Sequence, residues 1–317
     1  AMAFVPCTKD GAQYSHKGYL LVVVRDCCPL NFHYKSLLCT SQPAVSVGNV
    51  GQIAMDLLLS TSKMKKIGYW HSPHVVSVIC NDPLATKLKR VKGRIALPVE
   101  FHRCQKRKLV LMQRRSPLVK GGAAAFVQSL LKWATKEEFA GVVLASSSLA
   151  YVNENSQKQK FWCTYANIEK KVLDIVGEMK IDVKSAALDQ SSKDSTATTD
   201  GKKPGPTQQQ DHIQGNGRQH PPPPTVKEML AYGTGITKEL IKQCGRSKIP
   251  LLAILAQVNE GDNLADGKQM AIVLSKLLKS MGDENAPKLL LDPPKIFRIP
   301  FAYEHVYGPE PDRRIYT

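Results

Sequence analysis

The chain has 317 residues, 43% of them apolar, with 44 Lys and Arg against 27 Asp and Glu and a net charge of +17. That length suffices for one large or two ordinary domains with a substantial core, and no apolar run approaches the ~20 residues a membrane-spanning helix needs. Eight cysteines, at 7, 27, 28, 39, 80, 104, 163 and 244, form no C-x-x-C pair and read as reduced thiols rather than a disulfide framework or zinc site, which points to the cytoplasm, alone or together with the nucleus.

Near the start, Lys9 and Asp10 precede the apolar patch Leu20 to Val24, which Arg25 and Asp26 close, a pattern unlike a signal peptide. The first strand comes either from Leu20 to Val24 or from Leu37 to Cys39. "AVSV" (44–47) is the next strand-sized run, and "VSVGNVGQIAMDLLL" continues it into glycines and a helix. Gly48 and Gly51 give only G-x-x-G around Asn49. A dinucleotide fingerprint needs a further glycine where Ser46 stands, and no P-loop lysine follows. A tight strand-to-helix turn explains these glycines better than phosphate binding.

"KIGYW" (66–70) predicts another strand. "HSPH" then sets His71 and His74 three apart on a Pro-containing segment, with no carboxylate or Cys cluster to complete a metal site. "RIALPV" (94–99) and "KLVLMQ" (108–113) are two more strands. Basic residues crowd "KLKRVKGR" (87–94) and "RCQKRK" (103–108). A nucleic-acid surface usually adds stacking aromatics, but Phe101 is the only aromatic residue between Trp70 and Phe126. A solvated face, or one facing an acidic protein partner, fits better than nucleic acid.

Ala123, Phe126, Val127, Leu130, Leu131 and Ala134 keep helical spacing, as do Ile168, Val172, Ile175, Val176 and Met179. Between them "GVVLAS" (141–146) predicts a buried strand. Ser146, Ser147 and Ser148 follow it, without the glycines of a nucleophile elbow; capping and turn hydrogen bonds explain them more simply.

Residues 184–225 hold only five apolar side chains in 42 and no aromatic. Such a stretch buries too little to offset its ordering entropy. It reads as a disordered polar insertion, stiffened at its exit by Pro221 to Pro224. The expected organisation is therefore one α/β domain in two parts, 1–183 and 226–308, around the insertion 184–225.

Beyond it, "YGTGITKEL" reads as a glycine turn opening a helix, with Thr237 as N-cap and Ile236 and Ile241 as a hydrophobic staple. "PLLAILAQ" (250–257) is a buried strand. In "NEGDN" (259–263), Glu260 and Asp262 belong to a turn around Gly261, with Asp262 or Asn263 capping the helix of Met270, Leu274, Leu277, Leu278 and Met281. Apolar strands alternating with amphipathic helices predict an α/β sandwich with a mostly parallel sheet. Nothing assembles a nucleophile, a base and an orienting group. The chain ends "PEPDRRIYT", with apolar Ile315 and Tyr316 where a terminus is normally polar.

Four stretches in this order, "PAVSVGNVGQIAMDLLLSTSKMKKIGY" (43–69), "VVLASSS", "GTGITKEL" and "VNEGDNLADG", resemble the proteasome assembly chaperone 2 family, in a plant-like or otherwise divergent lineage. The resemblance runs from about Pro43 to Met281. It implies a Rossmann-like three-layer α/β/α fold in which Gly48, Asn49 and Gly51 form a fold-signature turn. It implies a non-enzyme without cofactor or small-molecule substrate, and without nucleic acid or membrane as partner. The expected partners are proteasome assembly chaperone 1, as a heterodimer, and the proteasome α subunits, whose ring the pair binds, helping it form and deterring off-pathway association.

Within that resemblance, residues 309–317 become a flexible docking tail. Ile315, Tyr316 and Thr317 match the hydrophobic-tyrosine-any ending that enters pockets between α subunits. Thr317 supplies a carboxylate to a pocket lysine, while Tyr316 fills an apolar slot with its hydroxyl at a polar edge. "FVPC" (4–7) also resembles the family's beginning, and the stretch 16–42 then reads as extra sequence, a lineage insertion or a gene-model error. Two other readings stay open: a nucleotide-binding enzyme with a phosphate pocket at Gly48 to Gly51, and a basic nucleic-acid adaptor with strongly salt-dependent binding.

Overall fold

The computed structural model describes residues 3–6, 20–24, 47–62, 64–85, 95–104, 109–150, 160–185, 225, 226, 230, 236–280 and 297–304. Its strands are β1 (Ala3–Pro6), β2 (Leu20–Val24), β3 (Lys65–His71), β4 (Cys80–Asn81), β5 (Ile95–Ala96), β6 (Val99–Cys104), β7 (Leu109–Arg114), β8 (Gly141–Leu149), β9 (Phe161–Ala166), β10 (Asp182–Val183) and β11 (Leu251–Val258). The helices are α1 (Val50–Thr61), α2 (Ala123–Lys136), α3 (Lys170–Glu178), α4 (Ile236–Ser247), α5 (Leu264–Ser280) and the single turn α6 (Phe301–Glu304).

Nine strands form one sheet in the order β1-β3-β6-β7-β2-β8-β11-β9-β10, and β4 and β5 form a separate two-stranded ribbon. The neighbours from β7 through β2 and β8 to β11 are parallel. On one side of that block β1, β3, β6 and β7 pair antiparallel, and on the other β9 runs antiparallel to β11. The expectation of a mostly parallel sheet is therefore corrected to a mixed one. The reason lies in the connections. A parallel pair needs a helical crossover, and no helix stands between β3 and β7 among the described residues.

Leu20–Val24 supplies a strand that lies centrally between β7 and β8; the alternative at 37–39 lies outside the described residues. Part of the stretch 16–42 thus belongs to the fold itself. Residues 44–46 lie outside the described residues, but Val47 opens a 3-10 turn, Val47–Asn49, rather than closing a strand. "RIALPV" divides into β5 and the start of β6, separated by Pro98, which has no N–H for a ladder. Thr237 is not an N-cap: α4 begins at Ile236, and Thr237 is fully buried inside its first turn. Strands β1, β9 and β10 carry no clear alternation and were not expected from pattern.

Covering both faces of the sheet explains the unbroken apolar runs of the central strands, such as Val142 to Ala145 of β8 and Leu251 to Ala256 of β11. Val142 and Leu144 of β8 join one core with Phe126 and Leu130 of α2 and Leu240 of α4. The intervening Val143 and Ala145 join another with Ile53 and Leu57 of α1 and Leu274 and Leu277 of α5. Burying each such side chain contributes about 1.5–3 kcal/mol. The first core ends in an aromatic group. Phe4 of β1 stacks on Trp133 at 5.2 Å and meets Phe101 edge-on at 5.5 Å, tying the N-terminal strand to the domain.

Helix α1 is buried on every side from Val50 to Leu59, so it lies between sheet and neighbours rather than at a surface. One neighbour is α5, where Gly267 allows close approach: a Cβ there would lie 2.3 Å from Ile53 Cγ2. No helix among the described residues is long and apolar enough to cross a membrane.

Candidate functional site

The signature turn precedes α1 with two consecutive left-handed residues, Gly48 at φ 64° and Asn49 at φ 54°. Glycine adopts that conformation without steric cost, and asparagine tolerates it best among the rest. Gly48 also faces Asn263: a Cβ at 48 would lie 2.2 Å from Asn263 Nδ2. The Asn263 amide is held by donating to the Asn259 and Gly261 carbonyls, each at 3.0 Å. The next residue, Leu264, donates its N–H to Asp262 Oδ1 at 3.0 Å, so Asp262 rather than Asn263 serves the start of α5. Gly51 lies buried within α1. Two separate motifs, "VGNVG" and "NEGDN", are thus one packed contact.

Beside it, at the C-terminal ends of β8 and β11, is an open hollow of 310 Å³ lined in part by Lys160, Gln257, Glu260, Asp262 and Asp266. Neither Gly48 nor Gly51 lines it. Lys160, its one cationic lining residue among the described residues, is ion-paired with Asp266. A phosphate would therefore meet carboxylates there, and at Gly48 it would meet the Asn263 side chain.

The serines of "ASSSL" do not cap or turn. Ser146, Ser147 and Ser148 are buried inside β8, and Ser148 Oγ accepts a hydrogen bond from Trp162 Nε1 at 3.2 Å. His71 is exposed at the end of β3 and His74 is half-buried. No group of three His, Cys, Asp or Glu is placed to hold a metal among the described residues.

A second feature emerges further along α1. Asp56 is completely buried and receives both arms of Arg115, Nη2 to Oδ1 at 2.6 Å and Nη1 to Oδ2 at 2.9 Å. Gln113 Nε2 donates to the same Oδ1 at 3.3 Å. The Tyr303 hydroxyl donates to Oδ2 at 2.7 Å. Burial opposes the Arg115 charge, but the Asp56 carboxylate outweighs it and raises the pKa above the ordinary guanidinium value. Burial, reinforced by Asp56, raises Tyr303 well above 10.0, so its proton stays on the bond to Asp56. The Tyr303 ring is partly exposed while its hydroxyl is enclosed.

Tyr303 belongs to the short segment 297–304, which this network fastens down. Ser60 Oγ donates to the Arg298 carbonyl, and the Arg298 N–H donates to Thr61 Oγ1 at 3.0 Å. Phe297 is buried in the second core, and the Phe301 N–H donates to the Ala85 carbonyl at 2.7 Å. The segment is clasped between α1 and the residues that follow β4. Ile315, Tyr316 and Thr317 lie outside the described residues, but the clasp ends one residue before the stretch that leads to them.

Sequence reasoning missed Asp56, Gln113, Arg115 and Tyr303. One signal was present: an aspartate within the apolar run "IAMDLLL" must find a buried partner or face water. Its partners are 59 and 247 residues away, beyond any local pattern.

The sequence profile of the PAC2 family matches residues 41–285. A curated relative from Nematostella vectensis, named Proteasome assembly chaperone 2, is 28% identical over 280 residues, covering 87% of this chain and 96% of the relative. The Homo sapiens protein of the same name is 28% identical over 277 residues, covering 84% and 90%. Among solved structures, Pyrococcus furiosus PbaA, described as an archaeal homolog of proteasome-assembly chaperone, superposes with a TM-score of 0.51 at 12% identity, covering 88% of this chain and 86% of that one. Pyrococcus furiosus PbaB, described as an archaeal proteasome activator, gives a TM-score of 0.50 at 10% identity, covering 87% and 88%. At such identities the structural likeness speaks to the fold alone.

Proposed function

This chain belongs to the PAC2 family, and on that premise we propose that it is a non-enzymatic chaperone for assembly of the proteasome core particle. In this reading it pairs with proteasome assembly chaperone 1, and the heterodimer binds the α-subunit ring, promotes its formation and deters off-pathway association. The work, in this reading, is done in the cytoplasm, alone or together with the nucleus, and calls on no cofactor. The Rossmann-like resemblance is, in this reading, confined to the parallel block β7-β2-β8-β11. The observation that carries the reading is the family match over residues 41–285, supported by relatives named for this role.

The tail is the proposed docking element. Ile315 and Tyr316 enter an apolar pocket between adjacent α subunits, and the Thr317 carboxylate pairs with a lysine there. The clasp supports this geometry. Tyr303, fixed on Asp56, gives the tail a defined point of departure, and Pro309 and Pro311 stiffen the path, lowering the entropy lost on docking. The nucleotide reading loses ground because Asn263 fills the space at Gly48 and the adjacent hollow is largely acidic.

Co-purification from cells of the protein's own lineage tests both levels, comparing the intact chain with one ending at Arg314. The expected result is that both retain the sister chaperone and only the intact chain retains α subunits. Equal capture of α subunits by both chains would remove the tail from the mechanism. Capture of neither sister chaperone nor α subunits by either would remove the chaperone role.

A further inference from the structure

The 310 Å³ hollow lies at the C-terminal ends of β8 and β11, the edge at which α/β sheets hold their ligands. Its size is at the lower end of small-ligand sites, about 300–1,000 Å³. In a chain of net charge +17 its lining is nonetheless acidic, with Glu260, Asp262 and Asp266 against Lys160 among the described residues. Two of the three carboxylates are engaged. Asp266 is paired with Lys160, and Asp262 accepts the Leu264 N–H at 3.0 Å, answering the positive end of α5. Glu260 is exposed and makes no hydrogen bond or ion pair among the described residues.

Acidity alone would describe a solvated turn. Gln257 adds an independent observation. It lines the hollow and is only 7% exposed, and its Oε1 is enclosed with no hydrogen-bond partner. Its N–H donates to the Lys160 carbonyl at 2.8 Å, which sets the two residues opposite each other just beyond the Phe161–Ala256 pair of β9 and β11. Opposed residues of an antiparallel pair share a face. The Gln257 side chain therefore stands beside that of Lys160, which with its partner Asp266 lines the same hollow. A buried acceptor without a donor costs stability, and a terminal amide turns on a soft torsion. A donor entering the hollow gains this oxygen as well as the Glu260 carboxylate.

We propose that the hollow binds a guanidinium group, with Glu260 taking its charge and Gln257 Oε1 accepting a further N–H. A guanidinium suits these two acceptors because it is planar, weakly hydrated and carries five donors, so it serves a carboxylate and an amide oxygen together. A bare divalent cation fits less well, since no group of three His, Cys, Asp or Glu is placed to hold one among the described residues. The guanidinium belongs either to a free small molecule or to an arginine side chain of a partner protein, and the recognition chemistry is the same for both. The site depends neither on the tail nor on the chaperone reading.

The test titrates the full chain with N-acetyl-arginine amide and follows amide NMR signals. A dissociation constant of the order of 1 mM is expected for one side chain, with shift changes confined to the hollow and including the Gln257 side-chain amide. Glu260→Gln should weaken binding at least about tenfold, and Gln257→Met, similar in length but without the acceptor, by about threefold to tenfold. Glu260→Gln should leave thermal unfolding unchanged and Gln257→Met should raise it slightly, which separates a lost ligand from a lost fold. No shift change up to about 50 mM probe, or equal affinity in the parent and both variants, overturns the site. Tighter binding of Mg²⁺ than of the arginine probe at the same residues overturns the guanidinium assignment. Repeating the titration on the complex with any co-purifying protein distinguishes the two sources. Loss of probe binding there, with release of the partner by Glu260→Gln, supports the site and assigns it to a partner's arginine. Unchanged probe binding in the complex supports the site and assigns it to a free small molecule.

Discussion

Where α1 begins, the Gly48–Asn49 turn meets Asn263 through shape alone, with two left-handed residues and no charge on either side. Further along the same helix, Asp56 meets Arg115, Gln113 and Tyr303 through a buried charge with every bond directed at one carboxylate. The turn joins two stretches by which the family is recognised. The clasp fixes segment 297–304 against α1. The contrast shows that one helix serves both as a rigid element of the fold and as the anchor for a segment 247 residues further along the chain. The first task needs close packing, and the second needs a long-range directional bond.

Removing one partner of the clasp should have the largest effect. Asp56→Ala leaves the Arg115 guanidinium buried without its carboxylate, and unfolding in urea should show a loss of about 3–5 kcal/mol. A paired change, Asp56→Leu with Arg115→Met, should recover most of that loss, because an apolar pair of similar volume often equals a buried ion pair in stability. If the single change costs no more than a surface substitution, the carboxylate is not shielded as described. The paired variant sharpens the comparison in another way: it should stay folded yet release Tyr303, making the 297–304 segment readily cleaved by protease.

The turn should be nearly as sensitive for a different reason. Gly48→Val places a β-branched residue at φ 64° and drives its side chain into Asn263. Strain and overpacking together should cost about 2–4 kcal/mol. In a double-mutant cycle, Asn263→Ala should relieve only the overpacking part, leaving the backbone strain. Full relief would mean that space, not conformation, is what Gly48 provides. Segment 297–304 should keep its protection throughout, since the clasp does not pass through the turn.

The two regions also differ in how far the sequence disclosed them. Gly48, Gly51 and the "NEGDN" turn stand out because unusual backbone conformations demand particular residue types, and those residues can be read locally. The helices α2, α3 and α5 were legible for a related reason, since a repeat of Phe126, Leu130 and Ala134 records a face directly. Strand direction was not legible: the apolar run Leu109 to Met112 of β7 reads the same whether its neighbours run parallel or antiparallel. Strand β1 was hidden as well, because its place is decided by Phe4 reaching Trp133 across the fold. Asp56 announced a need for a partner but not the partner's identity. Information carried by contacts between distant segments is absent from any one window of the chain, and the clasp consists entirely of such contacts.

Tyr303→Phe removes one hydrogen bond to Asp56 and leaves the Arg115 and Gln113 contacts in place. It should cost about 1–2 kcal/mol, visible as faster amide exchange confined to the clasped segment.

The smallest effect is the most specific, because it depends on the direction in which the Tyr303 proton is held. Burial and the Asp56 charge keep that proton on in the folded state at pH values where an unfolded tyrosine, near 10.0, would lose it. The groups that face the hydroxyl are Asp56, Arg115 and Gln52, with Cys80 close to the same ion pair and itself raised by burial. A raised folded-state pKa means the bond's contribution is complete below pH 10 and is lost as pH climbs toward the folded value. The stability gap between the parent and Tyr303→Phe should therefore stay level from about pH 7 to 9, narrow by about 0.4 kcal/mol at pH 10, and then narrow by about 1.4 kcal/mol per further unit. The gap between the parent and Gly48→Val should stay level over the same range, because neither glycine nor asparagine titrates there. A Tyr303 gap that stays flat beyond pH 10 would mean that its hydroxyl faces water. Segment 297–304 would then be held more loosely than the bond to Asp56 implies.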